Sequence, residues 1–264
     1  MKGGFRMLPL ERQNQILDIL AQKKAVTVDE LCHLLYSSGA TIRRDLAILE
    51  NNGQLKRTHG GAVFLDASAK DFPLMLRESE NLLAKQVIAR KALPLVQDGQ
   101  TLFLDSSSTV CKLAELLTGF GQLRVITNGL KTASLLADVD GVELHCTGGR
   151  LRETAKSFIG QSATRFLSQF NADYAFLSCR GVDPATGVTE ASEEEADVKL
   201  SYIQNARQVV LLCDSSKLGR QFFRRVATLG QIWRLITNID ELPAAFGERL
   251  IAGNRENRPR ERTE

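Results

Sequence analysis

The chain has 264 residues, room for about two domains of ~100–200 residues each, and its 43% hydrophobic and 25% charged residues are an ordinary globular composition. A formal net charge of +3 is too small to signal nucleic-acid binding, so any such activity needs locally clustered charge. No apolar run approaches the ~18 residues of a membrane span, and residues 1–10 carry Lys2 and Arg6 without a long apolar core, so a cytoplasmic protein without membrane association is expected. Cys32, Cys111, Cys146, Cys179 and Cys213 are odd in number, scattered and free of any Cys-x-x-Cys pair. They read as buried free thiols in a reducing compartment, with no metal or other cofactor.

Residues 12–20 set Ile16, Ile19 and Leu20 on one face and predict a helix. Thr27-Val28-Asp29-Glu30 reads as a capping box opening a second helix that buries Leu31, Leu34 and Leu35. After the break at Tyr36-Ser37-Ser38-Gly39, Ser38 is a suitable N-cap for a third helix. Its inner stripe is Ile42, Leu46 and Leu49; Ala40, Arg44 and Ala47 lie opposite, flanked by Thr41 and Arg43. An arginine between alanines makes a narrow outer face that fits a groove ~12 Å wide. A guanidinium there grips guanine in a bidentate manner or holds a phosphate. Taken alone, this face is equally a solvated surface. Asp45 is expected close to these arginines, orienting one of them. Asn51-Asn52-Gly53 stops the helix. Leu55-Lys56-Arg57-Thr58-His59 then alternates apolar and basic residues, Gly60-Gly61 turns, and Ala62-Val63-Phe64 returns as a second strand. Lys56, Arg57 and His59 would lie over a DNA backbone, setting affinity and register rather than sequence choice. That order of parts is a winged helix-turn-helix, and double-stranded operator DNA is its expected partner.

Thr41-Ile42-Arg43-Arg44-Asp45-Leu46, Leu49-Glu50 and Arg57-Thr58-His59-Gly60-Gly61-Ala62, with Arg12 and Ile16-Leu17 upstream, resemble the signature of the DeoR family of bacterial transcriptional regulators. One departure lies in the turn, where Ser37 stands in place of the valine common in that family.

Residues 66–71 are small, polar and aperiodic, with Pro73 following, and read as a linker. A helix is predicted over 77–96 with Leu83, Val87, Ile88 and Leu95 as core, weakened at its end by Pro94. Strands at 101–104, 123–126, 142–146, 175–177, 209–213 and 234–236 alternate with helices at 107–117, 130–137 and 193–205. This predicts a mainly parallel sheet with helices on both faces, hence an α/β fold. Small polar residues gather after the strands: Asp105, Ser106, Ser107, Ser108 and Thr109; Thr127 and Asn128; Thr147, Gly148, Gly149 and Arg150; Ser178, Cys179, Arg180 and Gly181; Asp214 to Lys217. In open α/β sheets that edge binds ligands. The 106–109 segment opens a helix, so its amides and hydroxyls suit a phosphate, with Lys217 or Arg150 adding a point charge. Each residue taken singly also reads as a helix cap or turn former, and Glu193-Glu194-Glu195 as an acidic first turn suited to the helix dipole. His145, inside a strand, reads as packed.

Asp105-Ser106-x-Ser108-Thr109, Ile126-Thr127-Asn128, Gly148-Gly149-x-Leu151-Arg152, Phe158-Ile159-Gly160 and Asp214-Ser215-Ser216-Lys217 resemble the effector-binding domain of the same family. The resemblance implies a fold like that of sugar-phosphate isomerases and a phosphorylated sugar or sugar acid as effector. Ser107, and Ser178 to Gly181, depart from the family, which often has glycine at these places. The expected scheme is a winged helix-turn-helix at 9–65, a linker at 66–80, an effector-binding domain at 81–240 and a partly disordered tail at 241–264. The expected function is a repressor, dimeric or tetrameric, whose operator binding answers to the effector. The alternatives are a sugar-phosphate isomerase carrying a DNA-binding arm, in which Asp105, Asp214 and Lys217 move protons, and a DNA-bound protein whose second domain only oligomerises.

Overall fold

The computed structural model describes residues 8–23, 25–51, 54–58, 60–64, 74–248 and 250. The chain divides into two units between Leu76 and Arg77. In the first, α1 (Pro9–Lys23) leads through β1 (Ala25–Thr27) into α2 (Val28–Leu34), α3 (Gly39–Asn51), β2 (Leu55–Thr58) and β3 (Gly61–Phe64). The capping box forms: Glu30 N donates to Thr27 Oγ1 at 3.2 Å while Thr27 N donates to Glu30 Oε2 at 3.0 Å. Ile16, Leu20, Leu31, Leu35, Ile42, Leu46 and Leu49 fill one apolar core, closed by Leu55 and Ala62 of the hairpin. Leu34 was expected inside and is instead half exposed, because α2 ends at Leu34 and the chain turns away. The antiparallel order β1-β3-β2 requires Gly61, where any Cβ would stand 2.0 Å from the carbonyl oxygen of Val26.

The boundary falls within α4 (Leu74–Ser79), which α5 (Leu82–Ala92) follows, where one helix over 77–96 was expected. The break is Asn81, at φ 52°. It rotates the following turn, so Leu83 is 78% exposed and Val87 also faces out, while Ile88, Ala89, Ala92 and Val96 take the core positions. Then follow β4 (Thr101–Leu104), α6 (Ser108–Ala114), β5 (Leu123–Thr127), α7 (Leu130–Leu136), β6 (Val142–Cys146), β7 (Arg150–Arg152), β8 (Ser157–Ile159), α8 (Gln161–Leu167), β9 (Ala172–Leu177), β10 (Gly181–Asp183), β11 (Gly187–Glu190), α9 (Glu193–Gln204), β12 (Ala206–Leu212), β13 (Arg224–Ala227) and β14 (Arg234–Ile236). Six strands pair in parallel in the order β14-β12-β9-β4-β5-β6.

Successive strand residues point to opposite faces, and both faces are covered here. Leu102, Leu104, Val125, Phe176, Val210 and Leu212 pack under α5, α6 and α7. Phe103, Ile126, Ala175, Leu177 and Leu211 pack under α8 and α9. That explains why these strands read as continuous apolar runs. The α/β class with a parallel sheet is as expected. The antiparallel pairs β7-β8 and β10-β11-β13 were not read from the sequence, and β9 starts three residues earlier than its apolar centre. Leu242, Phe246 and Leu250 are buried in the same core, so packed chain continues beyond the expected boundary at 240. The tail from 254, the linker at 66–71, Gly53 and His59 lie outside the described residues, as does the side chain of Lys56. Cys111, Cys179 and Cys213 are buried free thiols, Cys32 is half-buried, and Cys146 is exposed, against expectation.

Candidate functional site

On α3 the apolar stripe is buried and the opposite face is open. Ala40, Arg43 and Arg44 are exposed, and Thr41 is half-buried. Ser38 caps the helix: Thr41 N donates to Ser38 Oγ at 3.2 Å, and the two hydroxyls are 2.9 Å apart. Arg43 folds back along the helix, its Nη1 3.1 Å from the place a Cβ of residue 39 would occupy. Asp45 corrects the sequence reading. It points inward, 3% exposed, and pairs with Arg12 of α1 at 2.6 Å while Gln13 donates to its other oxygen at 3.1 Å. It therefore ties α3 to α1 and leaves Arg43 and Arg44 to the outer face. Arg57 is exposed on β2, its amide donating to Glu50 Oε1 at 2.9 Å, so the end of α3 fixes the wing beside it.

In the second unit, β4 is the switch point of the sheet: β5 and β6 lie to one side of it, β9, β12 and β14 to the other. The connections leave β4 and β9 in opposite directions, which opens a crevice at their carboxyl ends. Asp105 follows β4 there and is buried. Its Oδ1 accepts from Ser107 N and its Oδ2 from Ser178 N, each at 2.8 Å, so it joins the two loops. Ser107 caps α6 by accepting from Val110 N at 3.2 Å. Ser106, Ser108 and Thr109 are also buried, and Thr109 Oγ1 has no hydrogen-bond partner among the described residues. A buried hydroxyl without a partner is costly unless something else meets it. Lys217 Nζ donates to Ser178 Oγ at 3.1 Å and stands 3.7 Å from Asp214 Oδ2. Burial raises the Asp214 carboxyl, but Lys217, the Ser216 hydroxyl and Lys85 outweigh it and the net shift is downward. Asp214 is thus an anion beside a cation, at the same mouth.

The other expected residues divide. Thr127 Oγ1 accepts from Gly129 N at 3.0 Å. A Cβ on Gly129 would come within 2.9 Å of Ser106 Cα, so the loops after β4 and β5 touch only because residue 129 lacks one. Asn128 is committed to the frame: Nδ2 donates to Phe158 O at 3.1 Å, and Oδ1 accepts from Tyr202 OH at 3.1 Å. Gly148 and Gly149 lie at the outer end of the strand-end row, at φ 62° and 107°. Arg150 beyond them is exposed and paired with Glu194. Arg180 is partly buried within electrostatic reach of Arg77, Glu190, Glu80 and Arg152. Gly181 passes so near Arg220 that a Cβ would lie 2.4 Å from its carbonyl oxygen. His145 is half-buried, 3.0 Å from Glu143.

Beneath this row lies an ionic cluster that the strand-end pattern did not reveal. Lys199 of α9 is 3.1 Å from Asp105 and 2.8 Å from Glu190, all three buried. Burial by itself would depress the Lys199 ammonium; Asp105 and Glu190 outweigh it and hold it above the ordinary lysine value. Glu195, in the acidic turn, is also buried; burial raises its carboxyl, and the Ser157 hydroxyl donates to it. A signal was present: Glu195, Lys199 and Tyr202 recur at i, i+4, i+7 and share the stripe that faces the sheet. No group of three or more His, Cys, Asp or Glu side chains able to hold a metal ion occurs among the described residues. Nor is any described helix long and apolar enough to cross a membrane.

Residues 12–68 match the family described as DeoR-like helix-turn-helix domain, and residues 80–239 match DeoR C terminal sensor domain. The HTH-type transcriptional repressor GlcR of Bacillus subtilis is 37% identical over 233 residues, covering 88% of this chain and 89% of its own. The HTH-type transcriptional regulator GolR of Listeria innocua is 36% identical over 232 residues, covering 88% and 91%. The glycerol-3-phosphate regulon repressor of Escherichia coli is 32% identical over 232 residues, covering 88% and 92%. Among solved structures, ribose 5-phosphate isomerase from Methanocaldococcus jannaschii is similar over 53% of this chain and 55% of its own, at 19% identity and a TM-score of 0.39. With both parts matched in order and relatives aligned over most of their length, the chain belongs to the DeoR family and is a DNA-binding transcriptional regulator.

Proposed function

We propose that the protein is an operator-binding repressor released by a small phosphorylated sugar or sugar acid held at the β4/β9 switch point. The observation that carries the ligand half is the joining of two strand-end loops: Asp105 ties the 106–109 segment to Ser178, whose hydroxyl accepts from Lys217, so the serines and amides of that segment share one crevice with an ammonium, and Thr109 Oγ1 has no hydrogen-bond partner among the described residues. Oxyanions suit such a combination of amides, hydroxyls and one ammonium. The Asp105, Ser107, Ser178 and Lys217 contacts hold these groups in place. Ser38, Ala40, Thr41, Arg43 and Arg44 form the DNA-reading face, with Lys56, Arg57 and His59 on the backbone. Such heads act in pairs on half-sites, so a homodimer or homotetramer is part of the reading. The relative named for the glycerol-3-phosphate regulon supports this ligand class.

Fluorescence anisotropy with the DNA flanking its own gene, at fixed salt, tests the reading. Selective binding is expected, weakened by one member of a panel of sugar phosphates that is not turned over. Arg44→Ala is expected to relax base selectivity, at a cost of about 1–3 kcal/mol on the cognate site and less on random DNA. Turnover of any panel member favours the isomerase alternative instead. Equal affinity for cognate and random DNA from folded protein sinks the DNA half.

A further inference from the structure

The chain enters the second unit through α4 and then breaks at Asn81, which stands at the N-cap of α5 in the left-handed conformation, φ 52° and ψ 35°. An asparagine at an N-cap ordinarily bonds the amides of the first turn. Here it makes no such bond. Its Nδ2 donates instead to Asp214 Oδ1 at 3.2 Å and to Ser216 Oγ at 3.3 Å, more than 130 residues further along the chain. The elbow around it is fastened at two further points. Lys85 of α5, buried, donates to the carbonyl oxygens of Arg77 and Glu80, closing the open end of α4. Glu78 of α4 pairs with Lys131 of α7.

We infer that Asn81 is a positioning residue that couples the occupancy of the Asp214-Ser216-Lys217 segment to the elbow from which the chain runs to the DNA-binding unit. This rests on the reading of that segment as part of the effector site. Asp214 Oδ1 accepts from Asn81, from the Ser216 hydroxyl and from Ser216 N, with Lys217 alongside. An incoming oxyanion takes the Ser216 hydroxyl and Lys217 as its own donors. Ser216 Oγ also accepts from Asn81 Nδ2, so a Ser216 hydroxyl that turns from Asp214 to the oxyanion alters both contacts of the Asn81 amide. Asn81 is also the one residue of the elbow whose backbone lies in the left-handed region, so a change in its side-chain bond acts at the bend itself. The ligand thereby gains a differential interaction with two arrangements of the elbow, which any coupling of the two sites requires.

The test uses the full chain, its flanking DNA and, as probes, glycerol 3-phosphate and glucose 6-phosphate with inorganic phosphate as the fragment control. Asn81→Gly keeps the left-handed backbone and removes only the amide. It is expected to bind the active probe within about threefold of wild type by calorimetry. The probe's effect on operator affinity, ordinarily roughly 5–150-fold for coupled sites, is expected to fall below about twofold. Asn81→Asp tolerates the same backbone but sets a second carboxylate against Asp214. It is expected to shift ligand-free operator affinity toward the probe-bound value of wild type. Wild-type coupling in Asn81→Gly, or loss of probe binding in a variant that melts normally, overturns the inference. If no probe moves operator affinity in wild type, the effector reading fails first and takes this inference with it.

Discussion

At the scale of single residues, each of the two units carries a buried ion pair beneath the surface that faces outward. Arg12 and Asp45 lie under the recognition helix; Lys199 with Asp105 and Glu190 lies under the strand-end loops. Pairs of this kind contribute little net stability, but losing one partner strands the other charge in the interior. Lys199→Met leaves Asp105 and Glu190 uncompensated. It is expected to cost about 3–5 kcal/mol, which lowers the melting temperature of the second unit on the order of 10 °C. Thermal unfolding followed by circular dichroism checks this, and a loss under 1 kcal/mol would refute it. Asp45 shows how position decides role. It is adjacent in sequence to two exposed arginines yet sits on the helix side that faces α1, since one residue turns the direction by ~100°.

Elements reveal what a turn demands of its residues. Between α2 and α3, Ser37 N donates to Cys32 O at 3.2 Å and Leu35 N to Leu31 O at 2.9 Å, closing α2 with Tyr36 left-handed at φ 48° and 96% exposed. Glycine is usual at such a C-terminal position because it carries no Cβ penalty. Tyr36→Gly removes a strain of about 1–2 kcal/mol and restores part of it through the greater unfolded-state freedom of glycine. A net gain of about 0.5–1 kcal/mol is expected by urea denaturation of the full chain, read at the first unit's transition. A loss would show that the Tyr36 ring makes contacts that outweigh its backbone. Asn81 is the counterpart in the second unit, where the strained residue carries a polar link to a distant loop.

Over the whole molecule, the two units have separate cores, and the residues proposed to hold the effector all belong to the second. A fragment spanning 77–264 is therefore expected to fold and to keep the thermal stabilisation by the active sugar phosphate, roughly 2.7 kcal/mol at about 100 times its dissociation constant, while losing operator binding. A fragment that melts without cooperativity would show that this unit depends on the residues before it. The classical switch order of the sheet brings loops from 105, 178 and 214 to one crevice; no local stretch of chain contains that crevice.

The helices of the first unit and the strands of the parallel sheet were legible because periodicity is a local property: the i, i+4, i+7 stripe of α3 and the apolar runs of β4, β5 and β12 follow from which residues must leave water, whereas the short antiparallel strands carry no such run. The strand-end clusters were legible for a similar reason, as small polar residues placed where a strand gives way to a helix. Besides the small antiparallel pairs, three polar pairings were decided only in three dimensions. Asp45 found its partner 33 positions away in Arg12, Lys199 drew Asp105 and Glu190 into one buried cluster, and Asn81 broke a predicted helix to reach Asp214. Each is an interaction between polar groups far apart in the chain. Hydrophobic patterning says which face turns inward, whereas the pairing of buried polar groups depends on what the finished fold puts opposite them.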